Sequence, residues 1–279
     1  MLIMHPVGPV RFVHRGKYGY FTLGKQKLEG ITKVLKEVFY PKYDFYKATV
    51  DHGEKTSSSY KHIKGSSRLG RGFDTAIGQC CRLFKKYPFL RIDAFVTSPK
   101  PYIARLSKPD ARVLQRLNKR RNPYVKMFLQ WLGGKGYRLV GTQVPVGHDK
   151  LRIATAADAV VAEGDVYHPL EFKCGYEAYL KKSTKEPMNA PFEKQADYPL
   201  NQHHIQMAIT HQLYTHTYQE LKVGEPFLLN FQSSGLDEYR QPKFINKTTI
   251  TRMGVALAAR LSKKKSAITP KPFIRHSHG

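Results

Sequence analysis

The sequence is poor in cysteine, in acidic residues and in long apolar runs. Its three cysteines, among 279 residues, form neither a disulfide framework nor a zinc-binding spacing, so we expect free, buried thiols in a reducing compartment. No apolar run approaches the roughly 20 residues that a membrane-spanning helix needs. The N-terminal MLIMHPVGPVRFVHRGK has a short apolar stretch and no small-residue cleavage site, so we expect no secretory signal and no membrane partner.

Basic residues outnumber acidic ones by more than two to one. The chain has 47 Lys and Arg against 21 Asp and Glu, which gives a formal net charge of +26. Apolar residues make up 41%, a share that is normal for a folded protein. Self-repulsion makes so large an imbalance costly unless a polyanion offsets it. The charge therefore favours nucleic acid as the partner, ahead of an acidic membrane surface.

A polar stretch rich in Gly and Ser, at 51–67, predicts a loop or linker and the best place for a domain boundary. We expect a basic, aromatic N-terminal region at 1–60 that packs on the core, a core domain at 61–262 and a basic flexible tail at 263–279. The aromatic run FVHRGKYGYF of the first region suits either stacking on unpaired bases or burial, and we favour burial.

The period of the apolar residues predicts helices and strands in a mixed arrangement. Helical periodicity covers 27–39, 71–86, 110–132 (a pair whose second member begins at Pro123), 201–221 and 248–261. Three strands at 137–145, 151–162 and 166–173, joined by the turns VGHDK and AEGD, form an antiparallel meander, and PFLLNFQ adds a buried strand. The predicted fold class is α/β with α+β character: a small mixed sheet built on this meander and flanked by helices.

Three charged residues interrupt two apolar strands of the predicted meander. Strand alternation puts Glu171 and Lys173 on one face, about 7 Å apart, and the AEGD turn brings Asp158 towards them. Two carboxylates and a backbone carbonyl can hold Mg²⁺, which lowers the pKa of a bound water. A lysine beside that water can orient or deprotonate it. The alternative is a solvent-exposed Glu–Lys pair in an edge strand.

At these residues the sequence resembles the PD-(D/E)xK nuclease superfamily. The signature of that family is an acidic residue on one strand followed by E-x-K on the next, here Asp158 and then Glu171-Phe172-Lys173. The resemblance covers about 68–231. It implies a restriction-endonuclease-like core, with Asp158, Glu171 and the Phe172 carbonyl as metal ligands and Lys173 at the attacking water.

The flanking helices extend the resemblance to the lambda-exonuclease and RecB-like branch, which includes viral and mobile-element exonucleases. RLGRGFDTAIGQ offers Asp74 as an outer ligand, and NQHHIQMAITHQLY supplies Gln202, Gln206 and Tyr214. In that branch, the glutamines imply contacts to the DNA backbone or to a metal-bound water. The sequence departs from the pattern at Gln143, where many members of the branch have glutamate.

The resemblance implies a Mg²⁺- or Mn²⁺-dependent DNA nuclease, more specifically an exonuclease of DNA recombination, repair or replication. Its expected partner is DNA, single- or double-stranded with linear ends. A recombinase, a single-strand-binding protein and further copies of the chain are candidate protein partners. The expected location is intracellular, in a nucleus, organelle or host compartment that holds DNA. The rival hypothesis is a nucleic-acid-binding protein that keeps the nuclease fold without its catalysis.

Two further features each allow two interpretations. The basic, Gly-rich RLGRG, with Arg68 and Arg71, predicts either a helix N-terminus that accepts a phosphate or a plain entry into a helix. The four histidines of 201–221 invite a zinc site, but no Cys or carboxylate has metal-ligand spacing with them in the sequence. We favour satisfied or exposed histidines, or phosphate contacts, for these four: His203, His204, His211 and His216.

Overall fold

A computed structural model describes residues 8–15, 18–40, 57–119, 122–174 and 187–268, with the backbone alone for 14, 15, 18, 57–68 and 264–268. Within these residues nine strands form one mixed sheet in the order β1-β2-β3-β5-β6-β8-β9, with β4 along β5 and β7 beside β6. The strands are β1 Val10–Arg15, β2 Tyr18–Leu23, β3 Gln26–Gly30, β4 Arg138–His148, β5 Ile153–Glu163, β6 Val166–Cys174, β7 Lys222–Val223, β8 Phe227–Gln232 and β9 Gly235–Tyr239.

Helices flank this sheet, so the mixed α/β class expected from the sequence is confirmed. The antiparallel pairs β4–β5 and β5–β6 form the predicted meander, and β8 lies parallel to β6. The helices of the described residues are α1 Ile31–Val38, α2 Ser57–Lys86, α3 Asp93–Val96, α4 Lys100–Ile103, α5 Lys108–Lys119, α6 Pro123–Lys135, α7 Pro199–Thr217 and α8 Lys247–Ile268.

The helix α6 shows how local sequence sets an element's ends. Asn122 is its N-cap, and the Asn122 side chain accepts the Tyr124 N–H at 3.1 Å. Pro123 occupies the first turn, where its missing N–H costs nothing. Gly136 ends the helix at φ 69°, a left-handed conformation that glycine adopts without strain. The predicted start at Pro123 is confirmed, and the helix runs three residues past the predicted end at 132, to Lys135.

The N-terminal region differs from the expectation of a helix over 27–39. Residues Gln26–Gly30 form β3, and α1 begins only at Ile31. Glu29 and Gly30 pair in parallel with the start of β5, and the Glu29 N–H donates to the Arg152 carbonyl at 2.8 Å. This pairing overrides the helical spacing of the apolar residues, because the tertiary hydrogen bonds outweigh a weak local preference.

The predicted loop at 51–67 is wrong from residue 57 onwards, because α2 begins at Ser57. RLGRG therefore lies inside the helix and not at its N-terminus, which rules out the predicted phosphate site at a helix start. Once the second half of α2 is anchored in the core, adding a turn needs no new nucleation, so polar residues extend it. The helix α8 likewise continues to Ile268, into the predicted tail. Residues 1–7, 41–56 and 269–279 lie outside the described part.

The sheet separates two apolar layers. On one face α2 and α6 pack against β6 and β8 through an aromatic cluster, in which ring centroids are 4.7 Å apart for Phe73–Phe231 and 5.1 Å apart for Phe128–Phe172. On the other face α1, α7 and α8 pack against β4 and β5. Phe172 points into the first layer and Tyr167 into the second, as the predicted alternation of β6 requires.

The three cysteines, Cys80, Cys81 and Cys174, are buried and free, as expected. In the described part of the chain, no helix combines the length and the apolar character needed to cross a membrane.

Candidate functional site

The charged residues lie where β5 and β6 separate. The antiparallel ladder between these strands runs from Glu163↔Val166 to Ala159↔Leu170. The ladder to β5 ends at Leu170, whereas on its other edge β6 stays paired with β8 from Leu170 to Cys174. Asp158 and Glu171 are the first residues beyond the ladder on their two strands, so the register places them opposite each other. The end of this ladder leaves a gap between β5 and β6, and the side chain of Asp158 reaches across it to the Phe172 N–H.

Asp158 takes over the role of a backbone acceptor in this gap. Its Oδ2 accepts the Phe172 N–H at 2.7 Å, and its Oδ1 accepts the Gln143 Nε2 at 3.3 Å. In an extended strand the N–H and C=O of one residue point to the same edge. The Phe172 carbonyl therefore also points towards Asp158, which suits the ligand role that the resemblance implies.

Glu171 is the meeting point of strand β6 and helix α7. Its Oε1 accepts from Lys173 Nζ at 2.6 Å and from Gln206 Nε2 at 2.7 Å. Glu171 is 3% exposed, so its charge lies in a poorly solvated environment. The predicted shared face of Glu171 and Lys173 is confirmed, and Gln206 of α7 contacts the same carboxylate.

The electrostatics show an excess of negative charge. Burial raises the pKa of Asp158 above its usual range, and the charge of Glu171 raises it further. The pKa of Asp74 is also raised, first by burial and then by Glu171, while Lys173 acts in the opposite direction. Asp74 on α2 therefore lies within electrostatic range of both residues. A cation placed among these carboxylates would offset the repulsion.

The donor set fits a hard divalent cation. Carboxylate oxygens from Asp158 and Glu171 and a backbone carbonyl are the ligands that Mg²⁺ and Mn²⁺ prefer. A soft metal would require thiolate or imidazole ligands in the gap. Cys174 is the nearest thiol along the strand, and burial raises its pKa to about 12, so it stays protonated.

Gln143 is held in an unusual conformation opposite Asp158. It lies within β4 with φ 48°, in the left-handed region that costs a residue with a Cβ about 1–2 kcal/mol. The flanking pairs Thr142↔Ala159 and Val144↔Ala157 keep the register on both sides of it. Strain at a residue whose two neighbours are regularly paired points to a constrained position, and here the Gln143 amide contacts a carboxylate of the site.

The remaining predicted residues are placed differently. Gln202 donates to Asp197 Oδ1 at 2.8 Å and so is engaged by a different carboxylate than Gln206. Tyr214 is fully buried in the apolar layer, with its ring 4.9 Å from that of Tyr218. Arg71 is exposed on α2, one turn before Asp74. The side chain of Arg68 lies outside the described residues.

Several residues near the site escape sequence reasoning. Tyr40, after α1, is buried, and its pKa is raised first by burial and then by Asp197 and Glu171, so its hydroxyl stays protonated beside two carboxylates. Burial and the neighbouring Lys173 hold the pKa of His203 well below its ordinary value. Only correlated changes between helix positions and strand positions in many related sequences could have linked Tyr40 and His203 to the meander.

The histidines of α7 point in separate directions. His211 Nε2 lies 3.0 Å from the Gly224 carbonyl, and His204 packs edge-on against the ring of Tyr239 at 5.9 Å. His203 lies near Lys173, and His216 stacks on His148 near the far end of the helix. The four side chains therefore face different surroundings. The expectation that none of them has a carboxylate partner is wrong for His216, because Asp149 Oδ1 lies 3.8 Å from its Nε2.

A basic groove leads to Gln143. It has a volume of about 810 Å³ and runs between β1, α2 and β4. Arg11, Phe12 and Lys85 line it, and Phe12 is 42% exposed. Arg82 and Lys86, in the same groove, contact Asp110 at 2.7 Å each and keep about half of their side chains exposed. The groove thus joins cations and an exposed ring to the charged gap.

Comparison with known proteins adds no relative: no protein-family model matches this sequence, and no curated protein matches it either.

Proposed function

We propose that this protein is a Mg²⁺- or Mn²⁺-dependent deoxyribonuclease, and more specifically an exonuclease that acts in DNA recombination, repair or replication. The observation that carries the proposal is the convergence of Asp158, Glu171 and Lys173 at the point where β5 and β6 separate. A buried and a half-buried carboxylate beside one amine are costly without a cation, and a net charge of +26 suits a phosphate partner.

The order of elements supports a restriction-endonuclease-like core. A helix, the three-stranded meander, a second helix and a strand parallel to the last meander strand follow one another as α2, β4, β5, β6, α7 and β8. The residues in question come from four of these elements. Asp74 lies on α2, Gln206 on α7, and the carboxylates and lysine on the two central strands, so one arrangement accounts for the sheet and the site together.

The roles follow from the contacts. A divalent cation, when bound, lowers the pKa of an attacking water and neutralises charge that develops on the phosphate. Asp158, Glu171 and the Phe172 carbonyl supply its protein ligands. Lys173 positions the water or accepts its proton, because its Nζ lies beside Glu171 on the open side of the strand. Gln206 fixes the Glu171 carboxylate, since it donates to the same oxygen as Lys173.

The groove provides the path for the substrate. Arg11 and Lys85 offer charges for successive phosphates, and the exposed ring of Phe12 can stack on a base. Gln143 lines the groove and its amide contacts Asp158, so a strand bound in the groove would pass close to the carboxylates. Cations along the path and an acidic centre beside it suit a nucleic-acid hydrolase better than a simple binding surface.

A second candidate function is nucleic-acid binding without cleavage. Gln143 favours it, because an amide that donates to Asp158 stands where many members of the resembled branch have a carboxylate. The amide satisfies Asp158 without metal, and fewer anionic ligands weaken metal binding.

Cleavage assays separate the two functions. Linear and nicked circular DNA, labelled at one end, are incubated with Mg²⁺ or Mn²⁺ and with wild type, Glu171→Gln or Lys173→Ala. The matched control is Glu163→Gln, an exposed carboxylate at the end of β5. If the protein is a nuclease, wild type and the Glu163→Gln control degrade linear DNA, and the other two variants do not. Binding of DNA by all four proteins, without cleavage under either metal, would establish the second candidate.

A further inference from the structure

A second cluster of metal-ligating side chains lies away from the carboxylate gap. His148 ends β4, Asp149 follows it in the turn to β5, and His216 lies in the last turn of α7. Asp149 Oδ1 is 3.4 Å from His148 Nδ1 and 3.8 Å from His216 Nε2. One ligand atom from each residue lies within 4.8 Å of the other two. Two imidazoles and one carboxylate therefore surround one point.

The spacing suits a four-coordinate ion. Bonds of about 2.0–2.1 Å at tetrahedral angles separate neighbouring ligand atoms by about 3.3 Å. The two distances to Asp149 are within about half an ångström of that value. The His148 and His216 rings are stacked at 4.0 Å and 5°, whereas a ligating lone pair lies in the plane of its ring. Ligation thus requires one ring to turn, and the His216 side chain, 41% exposed, has room to do so.

The backbones that carry the two histidines are fixed to each other. Thr217 Oγ1 accepts the Gly147 N–H and donates to the Gly147 carbonyl, both at 3.1 Å. Thr217 follows His216 in sequence, and Gly147 precedes His148, so the two rings are held in register. The Leu151 N–H donates to His148 Nδ1 at 3.4 Å, so this nitrogen is deprotonated in the metal-free site, and metal ligation by Nδ1 would replace this long hydrogen bond. The site is thus built on a strand end and a helix end and not on a long loop.

We propose that His148, Asp149 and His216 bind a divalent transition metal of borderline softness, such as Zn²⁺, with water in the fourth position. Imidazole ligands suit Zn²⁺, Co²⁺ and Ni²⁺, whereas Mg²⁺ takes oxygen ligands. The bound ion joins the β4–β5 turn to the C-terminal end of α7. The same helix carries Gln206 nearer its N-terminal end. The site and its metal are independent of the nuclease proposal.

The first experiment measures zinc stoichiometry in the full chain. The sequence ends in HSHG, whose His276 and His278 also attract zinc, so the starting protein carries His276→Ala and His278→Ala. After treatment with a chelator, Zn²⁺ is titrated in competition with a chromophoric chelator, and Co²⁺ is followed by its visible absorption. We expect the protein to bind one equivalent of Zn²⁺ tightly and to show the intense absorption bands of four-coordinate Co²⁺. Millimolar Mg²⁺ should displace neither ion.

Single substitutions locate the ion. Changes in the outer shell of a metal site already lower affinity about 10–100-fold, so His148→Ala and His216→Ala are expected to weaken Zn²⁺ binding about 100-fold or more. Asp149→Asn keeps the shape of the side chain and tests the third ligand. Lys150→Ala, in the same turn, is the matched control and should still bind one equivalent of Zn²⁺.

Thermal unfolding provides a second measurement. An ion that binds only the folded chain raises Tm, so Zn²⁺ should raise it in the starting protein and in Lys150→Ala, but not in the ligand variants. Circular dichroism of the metal-free variants checks that they fold. Zinc binding that is the same in His148→Ala, His216→Ala and the starting protein overturns the proposal, as does the absence of a tight equivalent from the start.

Discussion

Lys173 Nζ and Gln206 Nε2 contact the same oxygen of Glu171, at 2.6 and 2.7 Å, from a strand and from a helix. One carboxylate oxygen therefore joins strand β6 to helix α7. Neither of these two contacts uses the second oxygen of Glu171, and this is the oxygen that we expect to ligate the metal. The hydrogen bond from Lys173 Nζ to Glu171 forms without a metal, so it holds the amine near the expected metal position in the metal-free protein as well.

Removal of Lys173 should abolish chemistry while sparing DNA binding. In Lys173→Ala we expect the single-turnover cleavage rate to fall about 10²–10⁴-fold, the range that a positioned acid or base contributes. Affinity for DNA, measured in Ca²⁺, should change little, because other cations supply most phosphate contacts. Lys222→Ala, an exposed lysine on β7, is the control. A parallel loss of binding and cleavage in Lys173→Ala would assign the lysine to substrate binding instead.

Asp158→Asn should stabilise the metal-free protein. A carboxyl group with a raised pKa in the folded state holds its proton to a higher pH there than in the unfolded state. The free energy of unfolding therefore falls as pH rises from the unfolded pKa towards the folded pKa. The amide removes that loss and keeps an oxygen for the Phe172 N–H. We expect a gain of about 1–3 kcal/mol in the free energy of unfolding, larger at pH 8 than at pH 5.

The same variant should lose the stabilisation that Mg²⁺ or Mn²⁺ gives to wild type. Urea unfolding at both pH values, with and without metal, measures both effects. Asp165→Asn, an exposed carboxylate in the β5–β6 turn, is the matched control. An Asp158→Asn protein that is less stable than wild type at pH 8 without metal would contradict the repulsion inferred among the carboxylates.

Asp110 should set part of the acid stability of the protein. Lys86 and Arg82, then Tyr87 and Ser107, hold the pKa of Asp110 well below its usual range. For a depressed pKa, the stabilisation is complete above the unfolded value near 3.8 and is lost as pH falls through the folded pKa. We expect Asp110→Asn to have a lower urea midpoint than wild type at pH 6, with the difference shrinking below pH 4. A difference that is constant across this range would exclude the ionic contribution.

The groove should determine the salt dependence of DNA binding. Each phosphate contact that is removed lowers the slope of log K against log salt by about 0.7–0.9. Lys85→Ala and Arg11→Ala should each lower it by about that amount and weaken binding of all sequences alike. Phe12→Ala should weaken binding of single strands more than of duplexes, because stacking needs an unpaired base. If Lys85→Ala and Arg11→Ala both show the same salt slope as Lys222→Ala, the DNA binds outside this groove.

Gln143→Glu should change the metal requirement. A carboxylate 3.3 Å from Asp158 adds repulsion to the metal-free site and a ligand to the loaded one. We expect a lower Tm without metal and a lower Mg²⁺ concentration at half-maximal cleavage. Gln143→Met, which keeps the length of the side chain without the charge, is the control. An unchanged Mg²⁺ dependence in Gln143→Glu would show that this position does not reach the metal.

The central strands were predictable from the sequence because their signals are local. A period of two residues is enough to place Glu171 and Lys173 together and Phe172 opposite them. Turn residues set the β5–β6 hairpin, and with it the approach of Asp158. Gln206 was predictable as one of two glutamines spaced by a helical turn, but the periodicity alone did not distinguish it from Gln202.

What could not be predicted depends on contacts between distant segments. The strand β3 has helical spacing in the sequence, and only its pairing with β5 makes it a strand. Tyr40 and His203 approach the carboxylates through the packing of α1 and α7 on the sheet. The conformation of Gln143 also has no local signal, because nothing in TQVPV requires a positive φ.

The parallel pairing of Glu29 with Ile153 has a consequence for biosynthesis. The strands β1, β2 and β3 leave the ribosome before the other strands of the sheet, yet their place in it does not exist until β5 has been translated, more than a hundred residues later. Synthesis at about 5–20 residues per second leaves this aromatic, basic hairpin waiting for several seconds or more. Its positive charge repels neighbouring nascent chains during that interval.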